Sequence, residues 1–173
     1  MKSFILAITG PAGSGKSTTA SKLATQVKQC VNIDADVVKH MIVNGFIYGN
    51  EPGGVEQWRL LGTNIGMLAK KFHEAGYNVI INGYINELAW ESIQQCITFS
   101  HKVLLLPHLD AVTKRDNGRH EGYRQGAEAV KEHHSYFSNA SFYNDFVKID
   151  STSHTVDETI ADIKRTLGIK EDV

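Results

Sequence analysis

Residues 10–17, Gly10-Pro11-Ala12-Gly13-Ser14-Gly15-Lys16-Ser17, combine three glycines, two hydroxyls and one fixed positive charge at a G-x-x-x-x-G-K-[ST] spacing. Successive backbone N–H groups can curl around phosphate oxygens where side chains are missing. A helix starting near Ser17 adds the positive end of its dipole. In this pattern, the P-loop, Lys16 reaches the β- and γ-phosphates of a nucleotide and the Ser17 hydroxyl ligates Mg²⁺. The residues expected at the nucleotide are Gly10, Ala12, Gly13, Ser14, Gly15, Lys16, Ser17 and Thr18. The alternative is an ordinary strand-to-helix turn with a surface lysine.

A second constellation is VNIDADVV, which puts Asp34 and Asp36 two residues apart after an apolar run. If the backbone stays extended there, both carboxylates face one side. One suits a water of the Mg²⁺ shell, the other a general base that takes a hydroxyl proton. Asp34 is read as the metal-side residue and Asp36 as the base, an order that the spacing alone leaves reversible. An N-cap for the following helix is the competing role, weighed chiefly for Asp36.

Arg115, Arg119 and Arg124 fall in one glycine-punctuated window, NGRHEGYRQG with its preceding arginine. Arginines on a mobile cover stabilise charge on a transferring phosphoryl group and exclude water. A solvated face is the alternative for each, strongest for Arg124. Lys39 and His40 lie about one turn beyond Asp36 and are candidates for the same cavity. Tyr48, Trp58 and Tyr84 are candidate walls for an acceptor, with core or rim packing as the other reading. His133 and His134 are adjacent, so on a helix they point about 100° apart and cannot form an i, i+4 metal pair. No histidine is assigned a metal.

These groups need a scaffold. Short apolar runs at Phe4–Thr9, Val31–Asp34, Asn78–Asn82, Lys102–Leu106 and Phe146–Ile149 read as buried parallel strands. Helical patterns separate them: Ser17–Gln29, Val37–Asn44, Glu56–Ala75, Glu87–Cys96, Leu109–Arg115, Gly126–Phe137 and Thr155–Leu167. Alternation of this kind predicts a three-layer α/β/α fold around a five-stranded parallel sheet with right-handed crossovers. Ligands then bind beyond the carboxyl ends of the strands. Gly45–Gly54 and 117–126 interrupt the alternation and are placed to cover such a site.

The chain has 173 residues, 42 % hydrophobic and 21 % charged, which predicts a single globular domain over 1–173 with a small lid at about 115–126. Its formal net charge of −1 provides no global basic field, so a long nucleic acid is disfavoured as a partner. Two cysteines, Cys30 and Cys96, are too few for a disulfide framework or a four-cysteine zinc site and are read as small buried residues. The short apolar start leads directly into the glycine loop, which argues against a signal peptide; no run is long enough to span a membrane. A cytoplasmic location follows by default. Oligomeric state is left open.

The P-loop, the D-x-D after the second strand and the later arginine segment together resemble the P-loop small-molecule kinases, among them gluconate, shikimate and adenylylsulfate kinases and chloramphenicol phosphotransferase. IDADVVKHMI is similar to the D-G-D segment of the adenylylsulfate and gluconate kinases. VLLLPHLDAVTKRDNGR resembles the strand, helix and arginine lid of the chloramphenicol phosphotransferase group. In order and spacing the resemblance covers nearly the whole chain. It implies ATP, Mg²⁺ and transfer to a hydroxyl. It also implies Arg115 near the adenine or phosphates, Arg119 on the transferring phosphate, and an anion clamp at Arg59. Asp150, Ser151 and Ser153 would lie in the loop against the adenine, although Thr155 or Asp157 there is equally read as a helix cap. One departure is VIINGY, where Asn82 stands at a position that many P-loop enzymes give to an acid. Gly83 beside it would let a ligand approach the backbone, or is a turn glycine.

The expected activity is therefore an ATP-dependent phosphotransferase acting on a hydroxyl of a small molecule, with a sugar acid such as gluconate as one candidate. Lys16, Asp36 and Arg119 would be catalytic, Arg115 would bind the nucleotide, and Asp36, Lys39, Arg59 and Gly83 would meet the acceptor. Ser17 and Asp34 would hold the metal. A kinase of nucleotides or nucleic-acid 5′ ends, and a regulatory ATPase with no acceptor, are the alternatives.

Overall fold

The computed structural model describes residues 3–47, 51 and 53–168. Five parallel strands form one sheet: β1 (Ile5–Thr9), β2 (Cys30–Asp34), β3 (Asn78–Asn82), β4 (His101–Leu105) and β5 (Val147–Ile149). Their spatial order is β2-β3-β1-β4-β5. All five residues of the central strand β1 are buried, as expected of a parallel strand covered on both faces. Ile5 and Ala7 join one core with Ile81, Leu104, Trp90 and Phe137. Leu6 and Ile8 join another with Leu23, Ile80, Leu105 and Ile163. The period-2 alternation of the strand thus divides its side chains between two helical layers.

The helices are α1 (Lys16–Thr25), α2 (Ala35–Lys39), α3 (Gly54–Glu74), α4 (Glu87–Gln94), α5 (Leu109–Asn117), α6 (Ala127–Asn139) and α7 (Val156–Leu167). Helix α7 starts at a capping box: Thr155 Oγ1 accepts from Glu158 N, and Glu158 Oε2 accepts from Thr155 N. Thr155 is therefore the cap, while Asp157 pairs with Lys22. Both cysteines are half-buried rather than buried, and free. Among the described residues no helix is long and apolar enough to cross a membrane.

The largest local difference from the sequence reading follows β2. Asp34 Oδ1 accepts from the amides of Asp36 at 2.9 Å and Val37 at 3.4 Å. This cap starts α2 at Ala35, two residues earlier than Val37. The D-x-D segment does not stay extended. Asp34 ends the strand and Asp36 stands in the first helical turn.

Candidate active site

The loop between β1 and α1 lies beyond the carboxyl end of the central strand. Gly13 and Gly15 adopt positive φ of 81° and 87°, conformations that side chains disfavour. A Cβ on Gly10 would stand 2.3 Å from the Leu105 carbonyl oxygen, and one on Gly13 would stand 2.8 Å from that of Val112. The loop is thus seated against the end of β4 and against α5. Gly15 is the N-cap of α1 and supplies no side-chain acceptor, which leaves the helix's first amides for an anion. Ser14 Oγ is buried without a hydrogen-bond partner. Lys16 is buried, and its ammonium has one long contact, to the Pro11 carbonyl at 3.4 Å. Burial lowers the Lys16 pKa from its ordinary value; Asp36 opposes the shift, Arg119 adds to it and Asp34 opposes it. An orphaned hydroxyl, a partly satisfied ammonium and open amides are what a polyphosphate fits.

A cavity of about 1240 Å³ opens from this loop. Lys16 and Ser17 line it from α1, Asp36, Lys39 and His40 from α2 and its end, and Trp58 from α3. Tyr84 lines it from the β3–α4 turn, Glu87 from the start of α4, Arg119, His120 and Gln125 from the segment after α5, and Glu132, His133 and Tyr136 from α6. Asp36, Lys39, Lys16, Ser17 and Arg119 therefore share one space. Lys39 lies with its ammonium 4.4 Å from the Trp58 ring centroid and 5.2 Å from that of Phe46. Burial lowers its pKa, against the opposing field of Asp36.

Other expected residues stand elsewhere. Arg59 is exposed on α3 and is not among the side chains lining the cavity. Arg115 donates from Nη2 to the Ser151 carbonyl at 2.8 Å, so it ties α5 to the loop after β5. Ser151 is buried in that loop and Ser153 exposed. Arg124 donates to the Arg119 carbonyl at 2.9 Å. Gly83 has a φ of 140°, and a Cβ there would stand 2.6 Å from Ala35 Cβ; its carbonyl accepts from Thr9 Oγ1 at 3.0 Å. The close approach at Gly83 is to α2 of the protein itself. Asn82 is buried and donates to Asn32 Oδ1 at 2.9 Å. Tyr48 lies outside the described residues, as does part of Gly45–Gly54.

Among the described residues, no three His, Cys, Asp or Glu side chains converge as a protein-only metal cage. Ser17 and Asp36 line the cavity, while Asp34, whose Oδ1 caps α2, does not; so sparse a protein donor set fits Mg²⁺, which usually keeps water and substrate phosphate oxygens as ligands.

Two contributors escaped the sequence reading. Asp116 is 1 % exposed, and its carboxylate accepts from the amides of Gln125 and Gly126 at 3.0 and 3.1 Å. It also lies 3.4 Å from Arg119 Nη1, so the segment is closed on a buried anion. The signal was an acid three residues before Arg119. His133 was set aside on metal spacing, but it lines the cavity with its ring 5.2 Å from Tyr84. Burial lowers its pKa, Glu132 opposes that shift, and Lys16 and Lys39 reinforce it. Burial also pushes the Tyr84 hydroxyl up to about 12, with Tyr136 and Glu132 adding to the shift.

A sequence profile of adenylylsulphate kinase matches residues 2–106. No curated protein matches the chain at a significant level. Among solved structures, a sugar kinase from Janibacter sp. HTCC2649 is similar at 13 % identity and TM-score 0.75, over 96 % of this chain and 95 % of that one. The tunicamycin resistance protein of Deinococcus radiodurans is similar at 16 % identity and TM-score 0.74, over 98 % of both chains. A gluconokinase from Sinorhizobium meliloti 1021 is similar at 13 % identity and TM-score 0.71, over 96 % and 93 %. At these identities the likenesses show the fold.

Proposed function

Because the chain belongs to the adenylylsulphate kinase family, we propose that it moves the γ-phosphoryl group of ATP onto an alcohol group of a small molecule. One observation supports this above the rest: the Asp36 side chain lines the same cavity as Lys16 and Arg119. A carboxylate in the cavity that the phosphate loop opens into is a group that can take the proton of an acceptor hydroxyl.

In this reading the loop amides, Ser14 and Lys16 hold the polyphosphate. Mg²⁺, held by Ser17 with help from Asp34, would neutralise charge on the β- and γ-phosphates. Asp36 takes the proton of the acceptor hydroxyl as the acceptor oxygen bonds to the γ-phosphorus. The bond from that phosphorus to the β–γ bridging oxygen breaks, and ADP leaves. Arg119 stabilises charge on the equatorial oxygens. Arg115 acts on the nucleotide through the 151–152 loop that it holds. The sugar-acid candidate has less behind it. Its expected clamp, Arg59, is outside the cavity, and the gluconokinase likeness is one of fold. The dependence on ATP makes the cytoplasm the expected compartment.

The test incubates the protein with Mg·ATP and a panel of hydroxyl compounds while ADP and free phosphate are followed together. ADP that exceeds phosphate only when one compound is present supports the reading and names the acceptor. ADP matched by phosphate across a broad panel counts against it.

A further inference from the structure

We propose that the acceptor is a hydroxylated small molecule that also carries a positively charged amine. This rests on the alcohol-phosphotransferase reading and narrows its substrate class. The cavity is divided by charge. Lys16 and Arg119 serve the end where the polyphosphate fits. Asp36, from α2, acts on both the Lys16 and the Lys39 ammonium, whereas Glu87 and Glu132 enter the lining from two other helices, α4 and α6. Neither the Glu87 nor the Glu132 carboxylate takes part in a hydrogen bond or ion pair among the described residues.

The countercharge at that end is small. Among the described residues Lys39 is the one lysine or arginine of the lining besides Lys16 and Arg119, and its ammonium already lies over Trp58 and Phe46. His40, His120 and His133 complete the titratable lining with Tyr84 and Tyr136. Burial favours the neutral form of His133. With Asp36 opposed by Lys16 and Lys39, Glu87 and Glu132 are the two carboxylates of the lining without a cationic partner among the described residues. The wall between them is aromatic: Tyr84 and Tyr136 stack with centroids 6.2 Å apart, and Trp58 lies 6.1 Å from Tyr84.

Ring faces and unpaired carboxylates attract an organic cation. They repel an anion, and the arginine expected to compensate is exposed on α3. The amine stays protonated throughout. The hydroxyl oxygen is the atom that bonds to phosphorus, and its proton passes to Asp36.

The test uses matched triads built on one skeleton, such as glucosamine, glucose and glucuronate, with equivalent sets on a cyclitol and a nucleoside. Binding to the full chain in the presence of a non-hydrolysable ATP analogue is read by ligand-observed NMR, and product formation is read with ATP. The expected result is at least tenfold tighter binding of an amine member than of its neutral partner, with the acid weakest. Glu132→Gln and Glu87→Gln should reduce that preference severalfold; circular dichroism checks that each variant is folded. Preference for the neutral or acidic member, or no discrimination in any triad, overturns the proposal. Amine-selective binding that yields no phosphorylated product would uphold the charge preference and sink the phosphotransfer reading, so the two fail separately.

Discussion

Asp116 Oδ1 lies 3.4 Å from Arg119 Nη1, and the same buried carboxylate accepts the amides of Gln125 and Gly126. The residue that closes the segment after α5 therefore also orients the guanidinium that faces the cavity. Replacing it couples two effects. Asp116→Ala removes the buried charged acceptor of two amides, at a cost of about 1–3 kcal/mol. The variant should unfold at lower urea concentration and lose turnover beyond the fall in folded fraction. Asp116→Asn, which keeps an acceptor oxygen, should lose less of both.

Asp36→Asn removes the carboxylate proposed as the base and leaves the loop and the Lys16 side chain in place. ATP affinity should stay within about threefold of wild type, while transfer to the acceptor falls by about 10²–10⁴-fold, the usual contribution of a general base. Nucleotide titration beside a single-turnover assay separates the two quantities. Full transfer in this variant would move the base elsewhere in the cavity.

Lys16→Met removes the one ammonium that reaches into the loop. Loss of a charge stabilising the transferring group should lower turnover by at least about 10²-fold. Removing a buried, desolvated cation should leave stability unchanged or raised, because its lowered pKa marks a group whose charged form the fold disfavours. Thermal melts without nucleotide check this second part.

Gly83→Ala tests how α2 is seated. The added methyl would stand 2.6 Å from Ala35 Cβ at a φ of 140°. A side chain in such a conformation costs about 1–3 kcal/mol. Relief by displacement of α2 also moves Asp36. Stability and turnover should therefore fall together while ATP affinity changes little.

Acid should weaken the fold through two histidines. Burial holds both His101 and His133 below the ordinary imidazole value of 6.5. The unfolded chain binds protons more readily at both, so stability rises with pH up to about 6.5 and is lost as pH falls through the folded values. His133→Asn should flatten that dependence, and urea midpoints measured from about pH 5 to pH 8 report the slope.

The structure agrees with much of the sequence reading. Five strands and their order along the chain were legible because parallel strands buried on both faces read as short apolar runs, and the glycines of 10–15 mark a loop that side chains would block. Boundaries shifted where a side chain intervened. Asp34 captured two amides and drew α2 forward, which a count of apolar positions does not register. Arg59 and Asp36 looked equally poised in the chain, but one faces solvent and the other the cavity. Of the two candidate caps for the last helix, Thr155 and Asp157, Thr155 is the cap.

By itself the sequence determined the phosphate loop, the layered fold and the class of chemistry, because each rests on local spacing: glycines that permit a curl, apolar runs that demand burial, an acid one turn from a lysine. Only the tertiary structure decided which side chains share the cavity. Asp36, Glu87, Glu132 and His133 are drawn from three helices far apart in the chain. The sheet brings those helices to one rim. No periodicity within a single segment encodes a charge balance created between segments.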